Sequence, residues 1–257
     1  KSKIIIWSGL LMAKLKTAAV IPARYASSRF PGKALAEISG EAMIVRVLKA
    51  VEKCELIDEV YAATDDIRIK RQVEKAGGKA IMTSAQHQSG TDRIAEAAAE
   101  IEAELIVNVQ GDEPLIKAET IVQALKPFSE LEDLKMSTLK REITAVEAES
   151  PDRVKVITDK NGYALYFSRS VIPYYRDLEV EDQKYYQHVG LYVYRRDFLL
   201  QLAEMERTPL EKAESLEQLR VLENGFQIKV QETDAVLIGV DRREDIALVE
   251  EELNRRR

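Results

Sequence analysis

Arg24, Arg29 and Lys33 share one short loop with Ser27 and Ser28, directly after the apolar run A-A-V-I at residues 18–21. No Asp or Glu occurs anywhere in residues 1–36. Such a loop suits a polyphosphate. Backbone N–H and hydroxyl groups donate to its oxygens, an Arg fork takes two oxygens at once, and Lys supplies a mobile point charge. For any single cation here the alternative is a solvated basic loop. Two aspartates could complete the chemistry. Asp112 follows Gly111 after the run E-L-I-V-N-V, and Asp241 follows the run A-V-L-I-G-V. A carboxylate at the end of an apolar strand is a Mg²⁺ ligand by type, because Mg²⁺ takes one or two carboxylates together with phosphate oxygens and water. Gly-Asp-Glu-Pro is also a plain turn, and spacing alone does not bring the two aspartates together.

The elements around these residues read as alternating strands and helices. Residues 18–21 form a buried strand that Pro22 stops. A helix over 42–54, a strand over 58–63, a helix over 67–76 and a strand over 79–82 follow. Thr64, Asp65 and Asp66 suit the second helix's cap, and Gly77-Gly78 its end. This order implies right-handed crossovers and a parallel sheet. The polar loop 83–93 feeds an Ala-rich helix over 94–103. It reads either as an anion- or base-binding helix N-terminus or as a cap by Ser89 or Thr91 with Asp92 favourably placed. Residues 104–109 are apolar enough for a central strand, and a helix over 118–125 comes next. From 136 to 185 the alternation breaks. Two strand-like runs, 154–158 and 163–167, flank Asp-Lys-Asn-Gly, a hairpin signal. An aromatic-rich stretch then leads into an acidic loop, 177–182. Residues 185–194 read as a strand with His188 inside it; on the residues alone His188 is structural. A helix over 213–224 carries Leu216, Leu219 and Leu222 on its apolar stripe, with Glu217 and Gln218 off it. Strands over 227–231 and 235–240 and a helix over 243–254 complete the chain.

At 257 residues with 46% hydrophobic and 32% charged content, the chain can bury a sizeable core and has the composition of a soluble protein. Its net charge of −6 argues against non-specific nucleic-acid binding and makes the basic loop a local feature. The single cysteine, Cys54, cannot form an internal disulfide, which suits a cytoplasmic setting, and it falls on a helix face with Ile44, Val47 and Val51. No stretch reaches the ~20 apolar residues of a membrane span. Residues 1–11 are expected to be an upstream extension or a non-native tract, and residues 12–257 a single domain.

Five motifs carry a resemblance: I-P-A-R-Y-A-S-S-R-F-P-G-K, H-Q-S-G-T-D-R, N-V-Q-G-D-E-P, H-V-G-L-Y-V-Y-R and G-V-D-R-R-E-D-I. Together they resemble the 3-deoxy-D-manno-octulosonate (Kdo) cytidylyltransferases, nucleotidyltransferases that activate an acidic sugar for lipopolysaccharide synthesis. The resemblance spans about 17–253. Phe30 stands where the family usually has Leu, and Ala34 where Pro is usual. It implies an α/β, three-layer Rossmann-like fold with a mostly parallel central sheet and a β-rich dimerisation excursion. A sugar-binding and dimer-forming subregion would span about 136–195. The implied substrates are CTP and Kdo, with Mg²⁺ as cofactor, in a homodimer with no nucleic-acid or membrane partner. The implied nucleotide site comprises Ala23, Arg24, Ser27, Ser28, Lys33, Ser89, Gly90, Thr91, Arg93 and Gln110. The implied sugar site comprises Arg169, His188, Glu217 and Gln218. Asp112 and Asp241 would be the metal ligands and, with Arg24 and Lys33, the catalytic set. Two alternatives stay open on sequence: a CMP-sialic acid synthetase or other acidic-sugar nucleotidyltransferase, and a non-catalytic CTP-binding protein.

Overall fold

In a computed structural model of the chain, residues 4–7, 10–13, 15–26, 29–87, 89–177 and 183–255 are described. A short antiparallel pair, β1 (Ile4–Trp7) and β2 (Leu10–Ala13), stands apart from the main sheet. β3 (Thr17–Ala23) is the pivot of that sheet. Its side chains alternate between two cores, as a pleated strand requires. Ala19, Ile21 and Ala23 face one way, and Ala18 and Val20 the other. A small hairpin, β4 (Glu37–Ile38) and β5 (Glu41–Ala42), leads into α1 (Met43–Val51). Ile44, Val47, Leu48 and Val51 cover the first face, and Cys54 is buried with them.

β6 (Glu59–Thr64), α2 (Ile67–Lys75) and β7 (Lys79–Met82) continue the pattern, and β3, β6 and β7 are parallel. The chain then crosses back. α3 (Gly90–Ala99) packs on the second face, and β8 (Leu105–Asn108) pairs parallel with β3 on its free side. The strand order therefore reverses between β3 and β8. That reversal leaves a crevice at their carboxyl ends, where open α/β sheets bind ligands. The loops carrying Arg24 and Asp112 both leave from this point.

α4 (Ala118–Leu125) and α5 (Pro127–Glu130) precede β9 (Met136–Ile143), and α6 (Ala145–Ala148) precedes the hairpin β10 (Lys155–Thr158) and β11 (Ala164–Ser168). Gly162, at φ 77°, makes the turn that Asn-Gly predicted. β12 (Tyr185–Arg195) is long and joins the parts, running antiparallel to β8, β9 and β10. Segment 136–195 thus belongs largely to the main sheet rather than leaving it. α7 (Arg196–Glu204), α8 (Pro209–Glu214) and α9 (Gln218–Glu223) follow, then β13 (Lys229–Glu232), parallel to β9, and α10 (Asp245–Arg255).

Three expectations are corrected. The helix over 213–224 is two helices, because Ser215 sits at φ 53° and breaks it. Residues 235–240 form no strand; Val240 N–H donates instead to Asp112 O at 2.9 Å. α3 starts at Gly90 rather than 94, because Ser89 accepts from Asp92 N–H and caps it there. The acidic loop at 178–182 lies outside the described residues. No helix among the described residues is long and apolar enough to cross a membrane.

Candidate functional site

A cleft of 310 Å³ opens at the β3–β8 reversal, and the basic loop, the α3 N-terminus and both aspartates line it. Gly111 makes the close approach possible. A Cβ at that position would lie 2.6 Å from Pro22 O, so only glycine lets the β8 loop pack against the end of β3. The basic loop is braced at Tyr25. Its carbonyl accepts from Gly32 N–H at 2.9 Å, and the Arg68 guanidinium lies 3.4 Å over its ring. Phe30 packs in a third core with Met43, Leu115, Val240 and Val249, so α10 supports the loop from behind.

The two aspartates converge on one cation. Lys33 Nζ lies 2.6 Å from Asp112 Oδ2 and 3.6 Å from Asp241 Oδ1, and Arg29 lies 3.1 Å from Asp241 Oδ2. Asp241 is held there because Asp245 accepts from the Asp241 and Arg242 N–H groups at the start of α10. Two carboxylates already gathered around one positive charge fit a hard divalent cation that completes its shell with phosphate oxygens and water. Among the described residues no group of three or more His, Cys, Asp or Glu side chains is placed to hold a metal ion.

Beside them, Glu113 is a residue the sequence reading quoted without giving it a role. Burial, and then the neighbouring Asp112 and Asp241 carboxylates, push its carboxyl up to about 8, while Lys33 pulls the other way. Its Oε2 is buried with no hydrogen-bond partner among the described residues. Burial of this kind depends on the 238–240 segment, which passes over Glu113 with Gly239 close to it, and nothing in the local sequence signals it.

Ala23, Ser89, Gly90, Arg93 and Gln110 also line the cleft. Arg93 is buried and donates to Thr83 Oγ1 at 2.6 Å and Asp65 Oδ2 at 2.8 Å. The cap of α2 is Asp66, which frees Asp65 for this pairing. Arg24 is exposed on the cleft wall. Ser27 and Ser28 lie outside the described residues.

A second cavity of 210 Å³ shares Gly90, Gln110 and Glu217 with the first. Thr91, Tyr192 and Gln218 also line it, and Tyr192 donates to Gln218 Oε1 at 3.2 Å. Burial pushes the Glu217 carboxyl up, opposed by its bond to Thr91. The α8–α9 break at Ser215 turns Glu217 and Gln218 inward, and a buried ion pair fixes it: Arg220 donates twice to Glu211, at 2.6 and 2.8 Å.

Arg169 and His188 line neither cavity. Arg169 donates from its guanidinium to Glu214 O and Pro151 O, and its own carbonyl accepts from the buried Lys155. His188 is buried behind Tyr192, its ring 5.2 Å from the Tyr192 ring. Burial pushes its imidazole down to about 3, so it is neutral at ordinary pH. Thr138 Oγ1 donates to Leu191 O and lies 2.9 Å from His188 Nε2, which places the proton on Nε2. The resemblance implies both residues at a sugar, whereas the residues alone give His188 a structural place; neither a motif nor a strand pattern says which side chain its neighbours cover.

The comparisons with known proteins agree on one family. The family model described as cytidylyltransferase matches residues 18–232. The chain is 53% identical over 251 residues to a 3-deoxy-manno-octulosonate cytidylyltransferase of Geotalea uraniireducens, covering 94% of this chain and 100% of that one. It is 50% identical over 237 residues to one from Fusobacterium nucleatum, covering 91% and 96%. Among solved structures it is similar to a CMP:2-keto-3-deoxy-manno-octonic acid synthetase complexed with CTP, with TM-score 0.90, 42% identity and coverage of 94% and 100%.

Proposed function

This chain belongs to the cytidylyltransferase family, among the Kdo enzymes, and we propose that its cleft transfers CMP from CTP to the anomeric hydroxyl of Kdo. The hydroxyl oxygen bonds to the α-phosphorus, the bond to the β-phosphate oxygen breaks, and pyrophosphate leaves with the electron pair. Reactions of this class depend on positioning and charge neutralisation more than on covalent help from the protein. The observation that carries the reading is the gathering of Asp112 and Asp241 around Lys33 at the carboxyl ends of β3 and β8. A binding module has no need of that pair.

The residues divide by role, with Ser27 and Ser28 assigned on the resemblance alone. Arg24 and Lys33, with Ser27 and Ser28, hold the triphosphate, and Lys33 neutralises charge developing on pyrophosphate. Ala23, Ser89, Gly90, Thr91, Arg93 and Gln110 hold the nucleoside. Asp112 and Asp241 would hold Mg²⁺, which when bound neutralises phosphate charge and lowers the pKa of a coordinated hydroxyl. Glu217 and Gln218 take the sugar's hydroxyls in the second cavity, adjoining the nucleotide through Gly90 and Gln110. Because Arg169 and His188 stand outside both cavities, they are assigned here to shaping the sugar site: His188 through Tyr192, and Arg169 through its bond to Glu214 O at the α8–α9 turn.

The reading extends to a cytoplasmic homodimer. Leu165, Val171 and Tyr174 are exposed apolar side chains on the segment assigned to subunit contact, and the single cysteine, Cys54, is buried. The test is a side-by-side incubation with CTP and either Kdo or sialic acid, following the CMP-sugar formed. The assignment requires product with Kdo; product with sialic acid alone would replace it with the related sialic acid reaction.

A further inference from the structure

His87 lines the nucleotide cleft and has no part in the roles assigned above. It stands just before α3 and lines the cleft together with Ser89, Gly90 and Arg93. Its ring is not free to turn. Nε2 bonds Glu96 Oε2, on α3 within that helix's second turn, and Glu96 Oε2 also accepts from Ser84 N–H at 2.9 Å. Burial works against the Glu96 carboxyl, but the Ser84 amide and His87 hold it below the usual range, so it is an anion. A carboxylate accepts and cannot donate here, so it draws the imidazole proton to Nε2. Nδ1 is then the ring nitrogen left for a ligand, and in the neutral ring it is an acceptor.

An acceptor at the nucleoside end favours a base that offers a donor. The exocyclic amino group of cytosine is one, whereas uracil presents a carbonyl oxygen at the same place, which would face the Nδ1 lone pair. Arg93, which lines the same cleft, supplies only donors and has two of them committed to Thr83 and Asp65. It cannot make this distinction in the same sense. We propose that His87, oriented by Glu96, is a specificity-determining residue that reads the exocyclic amino group of the pyrimidine and selects CTP over UTP. Glu96 acts through His87 and is a positioning residue. The inference rests on the cleft being the CTP site.

The experiment compares the full-length protein with His87→Ala, His87→Asn and Glu96→Gln. Circular dichroism first establishes which variants are folded. kcat/KM for pyrophosphate release is then measured with CTP and with UTP at saturating Kdo and Mg²⁺. Asn places an amide oxygen near the position of Nδ1, so it tests the acceptor rather than the ring. His87→Ala is expected to reduce the CTP:UTP preference by about 10- to 100-fold, the loss typical of leaving one polar group unpaired. Asn is expected to retain more of the preference than Ala, and Glu96→Gln to lower it by a smaller factor. KM for Kdo stays within twofold. A folded His87→Ala protein with an unchanged CTP:UTP ratio overturns the proposal, as does a wild type that uses both nucleotides equally. Should the wild type release no pyrophosphate, the proposed reaction fails separately. Calorimetric binding of CTP and UTP to wild type and His87→Ala still decides the inference by the same ratio.

Discussion

Replacing Glu113 with Gln is predicted to stabilise the metal-free protein, increasingly so as pH rises. Glu113 carries its proton in the folded state up to about pH 8, against 4.5 for an ordinary glutamate. Between those values the folded protein binds more protons than the unfolded chain, so stability falls as pH rises through that window and levels off above it. A factor of ten in proton affinity corresponds to about 1.4 kcal/mol. The loss is then on the order of 2 kcal/mol by pH 6 and about 4 kcal/mol by pH 8. Gln has nearly the same shape and cannot ionise, so the variant escapes this loss. The assay is urea unfolding in EDTA at pH 5, 6, 7 and 8, with the midpoint compared at constant slope. The two proteins should converge near pH 5 and separate steadily above it. Parallel pH curves for wild type and Glu113→Gln would refute the placement of a buried, protonated carboxyl beside the aspartates.

Gly111→Ala should destabilise the protein by about 1–3 kcal/mol and lower activity, because the added methyl meets Pro22 O at 2.6 Å and forces the β3 and β8 loops apart; thermal melts and steady-state rates check it. Asp112→Asn keeps the shape and removes the charge, and should cut kcat at least about 100-fold in a folded protein; a near-normal rate would remove Asp112 from the metal site. Arg220→Met removes both of its hydrogen bonds to Glu211, whose side chain is 1% exposed, and leaves that buried carboxylate only the half-exposed Arg207 at 3.2 Å. The cost should be about 3–5 kcal/mol, lowering Tm by roughly 10 °C. The double variant with Glu211→Leu should recover most of that loss in the same melt.

Much of the frame was legible because it is local. The apolar runs of β3 and β8 read as buried strands, their alternation with helical segments as a parallel sheet, and Asn161-Gly162 as a tight turn. The strand β9 escaped detection because M-S-T-L-K-R-E-I looks polar. In the fold its Ser137 donates to Ala124 O at 2.6 Å and its Thr138 to Leu191 O at 2.8 Å, so both hydroxyls are buried at no loss of hydrogen bonding. Those partners are remote in sequence. Residues 235–240 failed in the opposite sense: the pattern is that of a strand, but a strand needs a partner, and here the chain passes over Glu113 to deliver Asp241. In the site, the cations and both aspartates were legible from type and from their place after apolar runs. Their convergence was not, since it depends on β8 returning beside β3. The placement of Arg169 and His188 also depends on tertiary cover, Lys155 and Glu214 in one case and Thr138 and Tyr192 in the other.

The most direct measurement is pyrophosphate release from CTP in the presence of Kdo and Mg²⁺, with an ATP control and an EDTA control. The account predicts release with CTP, Kdo and metal together, and none when ATP replaces CTP or when the metal is removed. Release that continues in EDTA, or silence with all three present while CTP still binds, would contradict it.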